Sequence, residues 1–253
     1  MSDKDTGRST LQKILHPLFG IYAWLVFLAC VTVAIACVLL LPGLQRRRRA
    51  VAAAARAIFL LTGIRSQVNG LQTLPEGHSI VVANHASYVD GVILQAYLPP
   101  RFSYVIKGEV RNVPVVHFLL RRIGAHFVER FVTSASARDA RNLLQAAANG
   151  ESLAFFPEGT FIAKPGLGRF RAGAFAAAIS GSLPIVPVVI RGSRQILTAR
   201  TLLPRPGRLQ LDILECIPPQ HPDFVSSARL AATARRKILA LLDEPDLLAA
   251  DER

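Results

Sequence analysis

The first pattern along the chain is a long apolar segment near its beginning. Residues 18–41 read LFGIYAWLVFLACVTVAIACVLLL and carry no charged side chain. As an α-helix this segment would extend about 36 Å, more than the roughly 30 Å of hydrocarbon in a bilayer. Buried helices of soluble proteins rarely run so far without a polar face, and residues 41–43 lack the small side chains of a signal-peptide cleavage site. We therefore predict a retained membrane anchor.

Two further features follow the anchor. Four consecutive arginines occupy residues 46–49, whereas few positive charges precede the apolar segment. The positive-inside rule therefore predicts that the following domain lies on the cytoplasmic side of the cell's inner (plasma) membrane. The arginines are expected to contact anionic lipid headgroups. Residues 50–63 form a second apolar segment that is too short to span, which predicts an interfacial helix or the second arm of a hairpin.

From about residue 64, short β-rich runs alternate with helical ones. This alternation predicts an α/β fold with a largely parallel, mixed sheet flanked by helices, preceded by an N-terminal membrane helix or hairpin. We divide the chain into an N-terminal tail (1–17), a membrane anchor segment (18–63) and an α/β domain (64–253). The predicted strands are 79–83, 102–106, 125–128, 152–156, 185–190 and 209–214, and the predicted helices are 89–98, 110–123, 134–149, 172–180 and 226–242.

Composition narrows the choice of partner. The chain has 253 residues, with 30 Lys and Arg against 17 Asp and Glu, a formal net charge of +13. Such a balance favours a membrane surface, a phosphorylated substrate or nucleic acid. Aromatic residues make up only 7%, and no zinc-finger spacing or aromatic RNA-binding signature occurs, so nucleic acid is not expected. The three cysteines show no disulfide or zinc spacing, which is typical of a reducing compartment.

The stretch VVANHASYVDG, residues 81–91, places polar side chains where a predicted strand ends. His85 follows the strand, and Asp90 falls in the first turn of the next helix. In sheets of this kind, sites gather at the carboxyl ends of the strands. A carboxylate that turns back to the imidazole fixes its tautomer, so the other ring nitrogen can take a proton from a hydroxyl. Asn84 could hold the turn through its amide, although a histidine near an aspartate is more often structural.

A second group of polar residues lies in FPEGTFIAKPGLGRFRAGAF, residues 156–175. Glu158, Gly159 and Thr160 form a tight turn after a predicted strand, and Gly159 would let the backbone approach a ligand closely. Three strand ends thus carry a candidate base, a Glu-Gly turn and an arginine, which indicates a nucleophile activator beside an anion site. A GxSxG serine-hydrolase elbow and an HExxH metal motif are both absent. The candidate cations are Arg130, Lys164, Arg169 and Arg171.

At these residues the chain resembles the glycerolipid acyltransferase family, which includes 1-acylglycerol-3-phosphate acyltransferases. Residues 84–90 match the family's NHxxxxD block, and residues 156–160 match its FPEGT block. Residues 124–130 look like its second block, and residues 183–188 are similar to its proline-containing fourth block. The four occur in the family's order, and the anchor suits an acceptor that resides in a membrane.

The resemblance implies a membrane-bound acyltransferase that moves a fatty acyl group from acyl-CoA or acyl-carrier protein to the free hydroxyl of a lysophospholipid. Lysophosphatidic acid, which would give phosphatidic acid, is the first candidate acceptor. The partners implied are membrane lipids and the acyl donor, with no cofactor and no metal. His85 is implied as the general base and Asp90 as its support. The substrate-binding residues implied are Asn84, Arg130, Glu158, Gly159, Thr160, Lys164, Arg169 and Arg171.

One position departs from the family pattern. The family usually carries a basic residue directly after FPEGT, and here that residue is Phe161. Either Lys164 or Arg169 supplies the charge, or the acceptor is another lysolipid, such as a lyso-aminolipid. Two other classes stay open: a hydrolase that cleaves thioesters or lipids with water, and a non-catalytic membrane anchor or lipid-binding protein.

Overall fold

A seven-stranded sheet forms the centre of the computed structural model, which describes residues 3–129, 133–161, 164–198 and 201–251. The strands are β1 (Arg65–Asn69), β2 (Ile80–Ala83), β3 (Phe102–Lys107), β4 (His126–Val128), β5 (Ser152–Phe155), β6 (Ile185–Arg191) and β7 (Arg208–Ile213). Their order across the sheet is β1-β7-β6-β2-β5-β3-β4. All neighbours are parallel except β6 and β7, so β1 and β7 run opposite to the other five strands.

Helices cover both faces of this sheet. The helices are α1 (Asp3–Leu40), α2 (Leu44–Thr62), α3 (Val89–Tyr97), α4 (Pro114–Arg122), α5 (Thr133–Ala148), α6 (Gly173–Gly181), α7 (Ser193–Ile196), α8 (Ser227–Leu239) and α9 (Leu248–Asp251). Residues of α2 and α3 pack on one face, and residues of α5, α6 and α8 pack on the other. All four residues of β2 are buried because helices cover both of its faces, which explains its unbroken apolar sequence. The predicted α/β class is confirmed.

One strand is not apparent from the sequence pattern. Strand β1 has the polar sequence RSQVN and lies at the edge of the sheet, where it pairs with β7. A single apolar residue gives no alternation for a local pattern to detect. The strand forms because its partner lies about 140 residues further along the chain.

The predicted helix over residues 110–123 is wrong in its first part. Residues Gly108–Asn112 form a 3₁₀ helix, and α4 begins separately at Pro114. Proline suits the first position of a helix because its missing N–H would have no partner there, while it disfavours helical backbone at the residue before it. The apolar periodicity continues across this break, which is why the pattern suggests a single helix.

Helix α1 packs against the rest of the protein at several points. Its segment Leu15–Leu40 is long and apolar enough to cross a membrane. Residues 41–43 connect it to α2, with which it forms the hairpin considered above. The Trp24 indole donates a hydrogen bond to the Leu202 carbonyl (2.7 Å), and Arg122 donates to the Val38 carbonyl (2.9 Å). The second half of α1 is therefore held close to the α/β domain at two positions, Trp24 and Val38.

The expectation that all four arginines of residues 46–49 contact headgroups is wrong for Arg48. Its side chain is only 5% exposed and donates to the carbonyls of Ile123, Pro100 and Arg101 at 2.8 to 3.2 Å, and to the Ser103 hydroxyl. Burial lowers the pKa of its guanidinium, while the nearby Glu151 carboxylate acts in the opposite direction. Arg48 therefore fastens α2 to the amino ends of the strands, whereas Arg46 and Arg49 remain exposed.

Candidate functional site

The centre of the candidate site is an imidazole supported by a buried carboxylate. The Nδ1 atom of His85 lies 2.9 Å from Oδ2 of Asp90, and Asp90 is fully buried. The same oxygen accepts hydrogen bonds from the backbone N–H groups of Ala86 (2.6 Å) and Ser87 (2.8 Å). These donors hold the carboxylate at the start of α3, facing the ring. The proton on His85 is thereby assigned to Nδ1, and Nε2 has a free lone pair.

The arrangement leaves Asp90 able to stabilise a charged ring. Its second oxygen, Oδ1, is buried without a hydrogen-bond partner among the described residues. Part of the negative charge is therefore not neutralised by donors, and it favours the imidazolium that forms when Nε2 takes a proton. The His85 side chain is 15% exposed, so the ring is accessible to a small part of the surface rather than sealed in the core.

Aromatic rings surround the histidine. The ring of Phe156 stacks on His85, with centroids 4.1 Å apart and planes inclined by 16°. The ring of Phe161 meets His85 edge to face at 4.7 Å, and Tyr88 meets Phe161 in the same manner. These two contacts help to fix the orientation of the imidazole. From the sequence, Phe156 is only the end of a predicted strand and Phe161 only a missing charge, and neither is assigned to the histidine.

Glu158 connects the histidine loop to the loop that follows β5. Its Oε1 accepts from the backbone N–H of His85 (2.8 Å), and its Oε2 accepts from the backbone N–H of Gly168 (2.8 Å). Burial raises the pKa of the Glu158 carboxyl, although these two hydrogen bonds act in the opposite direction. Both carboxylate oxygens are occupied by backbone donors, so the structure gives Glu158 a role in holding two loops at a fixed separation.

Asn84 is bound to the neighbouring strand rather than pointing at a cleft. Its amide nitrogen donates to the Ile190 carbonyl (2.9 Å), and its amide oxygen accepts from the Ile190 N–H (2.7 Å). The side chain is 3% exposed. It thus extends the pairing of β2 with β6 by one step beyond the last strand residue. This fixes the direction in which the chain leaves β2 and so the position of His85.

The other predicted residues that the structure describes lie on the loop that contains Glu158. Gly159 is buried with a φ of +80°, a conformation that glycine adopts without strain, and Thr160 next to it is exposed. Lys164, Arg169 and Arg171 are all exposed on the same loop. The structure therefore brings His85, Asp90 and the Glu158 loop together, with the three cations on that loop open to solvent. Arg130 lies outside the described residues.

The fold and the centre together define a class of protein. It is an α/β protein with a histidine–aspartate pair at the carboxyl edge of parallel strands, arranged for proton abstraction from a hydroxyl. The model of the family named Acyltransferase matches residues 65–191, which include every element of this centre. The chain belongs to the Acyltransferase family, which confirms the predicted resemblance.

Comparison with individual proteins agrees with this membership. The chain is 27% identical to a 1-acyl-sn-glycerol-3-phosphate acyltransferase of Saccharomyces cerevisiae over 189 residues, which are 73% of this chain and 62% of the yeast protein. It is 29% identical to the lyso-ornithine lipid O-acyltransferase of Pseudomonas aeruginosa over 185 residues, covering 65% of this chain and 69% of that one. The chain thus spans less than two thirds of the yeast protein's length.

A solved structure shares the fold. The crystal structure of the 1-acyl-sn-glycerophosphate acyltransferase PlsC from Thermotoga maritima aligns with a TM-score of 0.77 over 90% of this chain and 95% of that one. The sequences are 21% identical, so this likeness supports the architecture, including the helices before β1, rather than the substrate.

Proposed function

We propose that the protein is a membrane-attached acyltransferase that moves a fatty acyl group from a thioester to the free hydroxyl of a lysophospholipid, with acyl-CoA or acyl-carrier protein as donor. The observation that carries the proposal is the His85–Asp90 pair, whose free ring nitrogen lies at a partly exposed position at the sheet edge. Family membership and the printed names of the relatives support acyl transfer to a lipid.

The chemistry follows from the geometry of this pair. Nε2 of His85 takes the proton of the acceptor hydroxyl as its oxygen attacks the thioester carbonyl, and Asp90 stabilises the imidazolium. Collapse of the tetrahedral intermediate breaks the carbon–sulfur bond, and the departing sulfur receives the proton from the ring. The products are an ester and a free thiol. No covalent acyl-enzyme and no metal ion take part in this scheme.

The first candidate acceptor is lysophosphatidic acid, since a relative of known name acts on 1-acylglycerol 3-phosphate. The exposed cations Lys164, Arg169 and Arg171 would bind its phosphate from the loop beside His85. A second acceptor class, a lyso-aminolipid, is favoured by the uncharged ring of Phe161, which lies 4.7 Å from the imidazole where the family usually carries a basic residue. A relative named for a lyso-ornithine lipid supports the same class.

Membrane attachment belongs to the same proposal. The segment Leu15–Leu40 would hold the enzyme at a bilayer where both the amphiphilic acceptor and its poorly soluble product reside. The exposed Arg46 and Arg49 after this segment favour the anionic leaflet on the cytoplasmic side of the inner membrane.

Transfer of labelled acyl groups to a panel of lysolipids tests the proposal. We expect His85→Ala to lower kcat by roughly 100- to 10,000-fold, because the general base is lost. Asp90→Asn should also cause a large loss, because an amide neither holds the required tautomer nor stabilises the imidazolium. The matched control is His78→Ala, at an exposed histidine on the opposite edge of the sheet. Full turnover in His85→Ala would reject the mechanism, and thiol release without any lipid acceptor would indicate a hydrolase.

A further inference from the structure

A basic cleft lies on the same edge of the sheet as His85 but on different strands. It has a volume of about 510 Å³ and is lined by the beginnings of β1 and β7 and by the end of β6. Because β1 and β7 run opposite to the central strands, their first residues lie at the carboxyl edge of those strands. The charged and amide residues that line the cleft are Arg65, Gln67, Arg191, Arg208, Gln210 and Asp243.

The register of the strands places these side chains on one face. Arg65 lies opposite Arg208, and Gln67 lies opposite Gln210. On the other side, Gln210 lies opposite Arg191. Side chains of paired residues project from the same face of a sheet, so three guanidinium groups and two amides converge there. The intervening residues of β7, Leu209 and Leu211, are buried on the opposite face.

Two of these arginines have no side-chain partner among the described residues. Arg65 and Arg208 are exposed and form no side-chain hydrogen bond or ion pair with any residue that the structure describes. Like charges directly opposite each other on neighbouring strands destabilise a sheet. Arg191, by contrast, is held by Asp212 at 2.7 Å, and Gln210 donates to the same carboxylate. The cleft thus combines Arg191 and Gln210, which Asp212 holds in place, with Arg65 and Arg208, which lack a partner among the described residues. A bound phosphate would relieve the repulsion between Arg65 and Arg208.

The separation between cleft and histidine decides which phosphate fits. Strand β2 carries His85, and the next strands outward are β6, β7 and β1. At a spacing of about 4.8 Å, β7 and β1 lie about 10 and 14 Å from β2. The phosphate of lysophosphatidic acid is only a few bonds from the reacting hydroxyl, so it does not reach the cleft while that hydroxyl is at His85. In an acyl donor, a long pantetheine arm separates the thioester from the carrier's phosphate, and such an arm spans this separation.

We propose that the cleft of Arg65, Arg191 and Arg208 binds the phosphate group that the acyl donor's carrier bears at the far end of its pantetheine arm. The inference rests on the proposed acyl transfer, since it assigns the cleft to the donor of that reaction. The acceptor and donor are then bound at two separate basic groups: the loop of residues 164–171 beside His85, and the cleft, whose Arg208 and Arg65 lie two and three strands from β2.

The test is the double variant R65Q/R208Q of the full-length protein in detergent. Its matched control is R141Q/R229Q, which removes two positive charges at exposed arginines of α5 and α8 that do not line the cleft. We expect the cleft variant to raise the KM for the acyl donor about tenfold or more, since two charge-assisted hydrogen bonds are lost. The kcat and the KM for the lysolipid should remain close to those of the control.

Three arms of the experiment separate the sources of phosphate. A KM shift with both acyl-CoA and acyl-carrier protein assigns the cleft to the phosphate next to the pantetheine arm, as proposed. A shift with acyl-CoA alone would assign it to the nucleotide phosphates and overturn the proposal. The third arm measures sedimentation with phosphatidylcholine vesicles with and without phosphatidylglycerol. Weakened binding to the anionic vesicles with an unchanged donor KM would assign the cleft to lipid headgroups and overturn the proposal. An unchanged donor KM in all arms, or a rise confined to the lysolipid KM, would overturn it too.

Binding of free coenzyme A, measured without turnover, keeps this result independent of the proposed reaction. We expect the wild-type protein and the R141Q/R229Q control to bind coenzyme A about tenfold more tightly than R65Q/R208Q. If the wild-type protein transfers no acyl group yet shows this difference, the acyl-transfer proposal fails while the carrier site stands. Equal binding by all three proteins would overturn the carrier site.

Discussion

At the scale of single residues, the candidate site depends on side chains that bind the backbone. Asp90 accepts from two backbone N–H groups as well as from His85, and Asn84 exchanges two hydrogen bonds with Ile190. Glu158 accepts from two loops at once. All of these hydrogen bonds join groups of the protein to one another, and together they fix the position of the imidazole. The pattern NHxxxxD therefore includes residues that position the base as well as the base itself.

Replacing Glu158 with glutamine tests this positioning role. Glutamine has one carbonyl oxygen, so its NH₂ group would face the N–H of either His85 or Gly168, and one bond would be lost. Losing a hydrogen bond to a charged group costs about 1.5 to 3 kcal/mol, and we expect kcat to fall by roughly ten- to a hundredfold. Steady-state kinetics of Glu158→Gln against Glu76→Gln, a change at an exposed glutamate, provide the measurement. Equal kcat values in the two variants would show that the connection does not position His85.

At the scale of elements, α2 is fastened to the sheet by Arg48. One guanidinium satisfies three backbone carbonyls and a serine hydroxyl at the amino ends of the strands. Glu151 accepts from the same Ser103 and lies 3.1 Å from His126, so a polar network continues from α2 across the strand ends. The hydrogen bond with His126 is the main cause of the lowered pKa of Glu151. This network stands at the edge of the sheet away from His85.

Removal of this guanidinium should therefore destabilise the fold without touching the site. We expect Arg48→Ala to lower the free energy of unfolding by about 3 kcal/mol or more, because several buried acceptors lose their donor. Arg48→Lys should restore only part of the lost free energy of unfolding, since one ammonium group does not satisfy the same set of acceptors. Urea unfolding in detergent gives the measurement, with Arg49→Ala at an exposed neighbour as control. Similar stability of Arg48→Ala and Arg49→Ala would contradict the assigned role.

At the scale of the whole molecule, α1 is held along the α/β domain rather than at one end only. Trp24 donates to the Leu202 carbonyl and Arg122 donates to the Val38 carbonyl. The contacts at Trp24 and Val38 are fourteen residues apart, about 21 Å along a helix. A helix that crosses a bilayer and carries a domain on one side contacts that domain at one end. Contact at both Trp24 and Val38 places this part of α1 along the domain, with the exposed Leu18, Leu25 and Leu28 directed outward.

We therefore expect α1 to lie within one leaflet, with both of its ends on the side of the domain. The check is labelling by a membrane-impermeant maleimide in sealed vesicles, after Cys30, Cys37 and Cys216 have been replaced by alanine. Ser9→Cys, before the apolar segment, and Ser227→Cys, in the α/β domain, should react from the same side. Labelling of the two positions from opposite sides would show that α1 crosses the membrane.

The sequence by itself determined the features whose signals are local. The apolar run of residues 18–41, the alternation of strands and helices, and the HxxxxD spacing each lie within a short stretch of chain, and the structure brings His85 and Asp90 together as that spacing predicts. The tail, anchor and domain boundaries and the substrate roles of the surface cations stay predictions.

Only the tertiary structure decided the features that join distant residues. Strand β1 pairs with a strand about 140 residues later, and Arg48, one of four apparently equivalent arginines, is buried against residues 100–123. The cleft exists because β1 and β7 reverse direction and bring Arg65 and Arg208 side by side. The physical reason is the same in each case. The partner of a side chain depends on strand order and register, and neither can be predicted from the residues next to that side chain in the sequence.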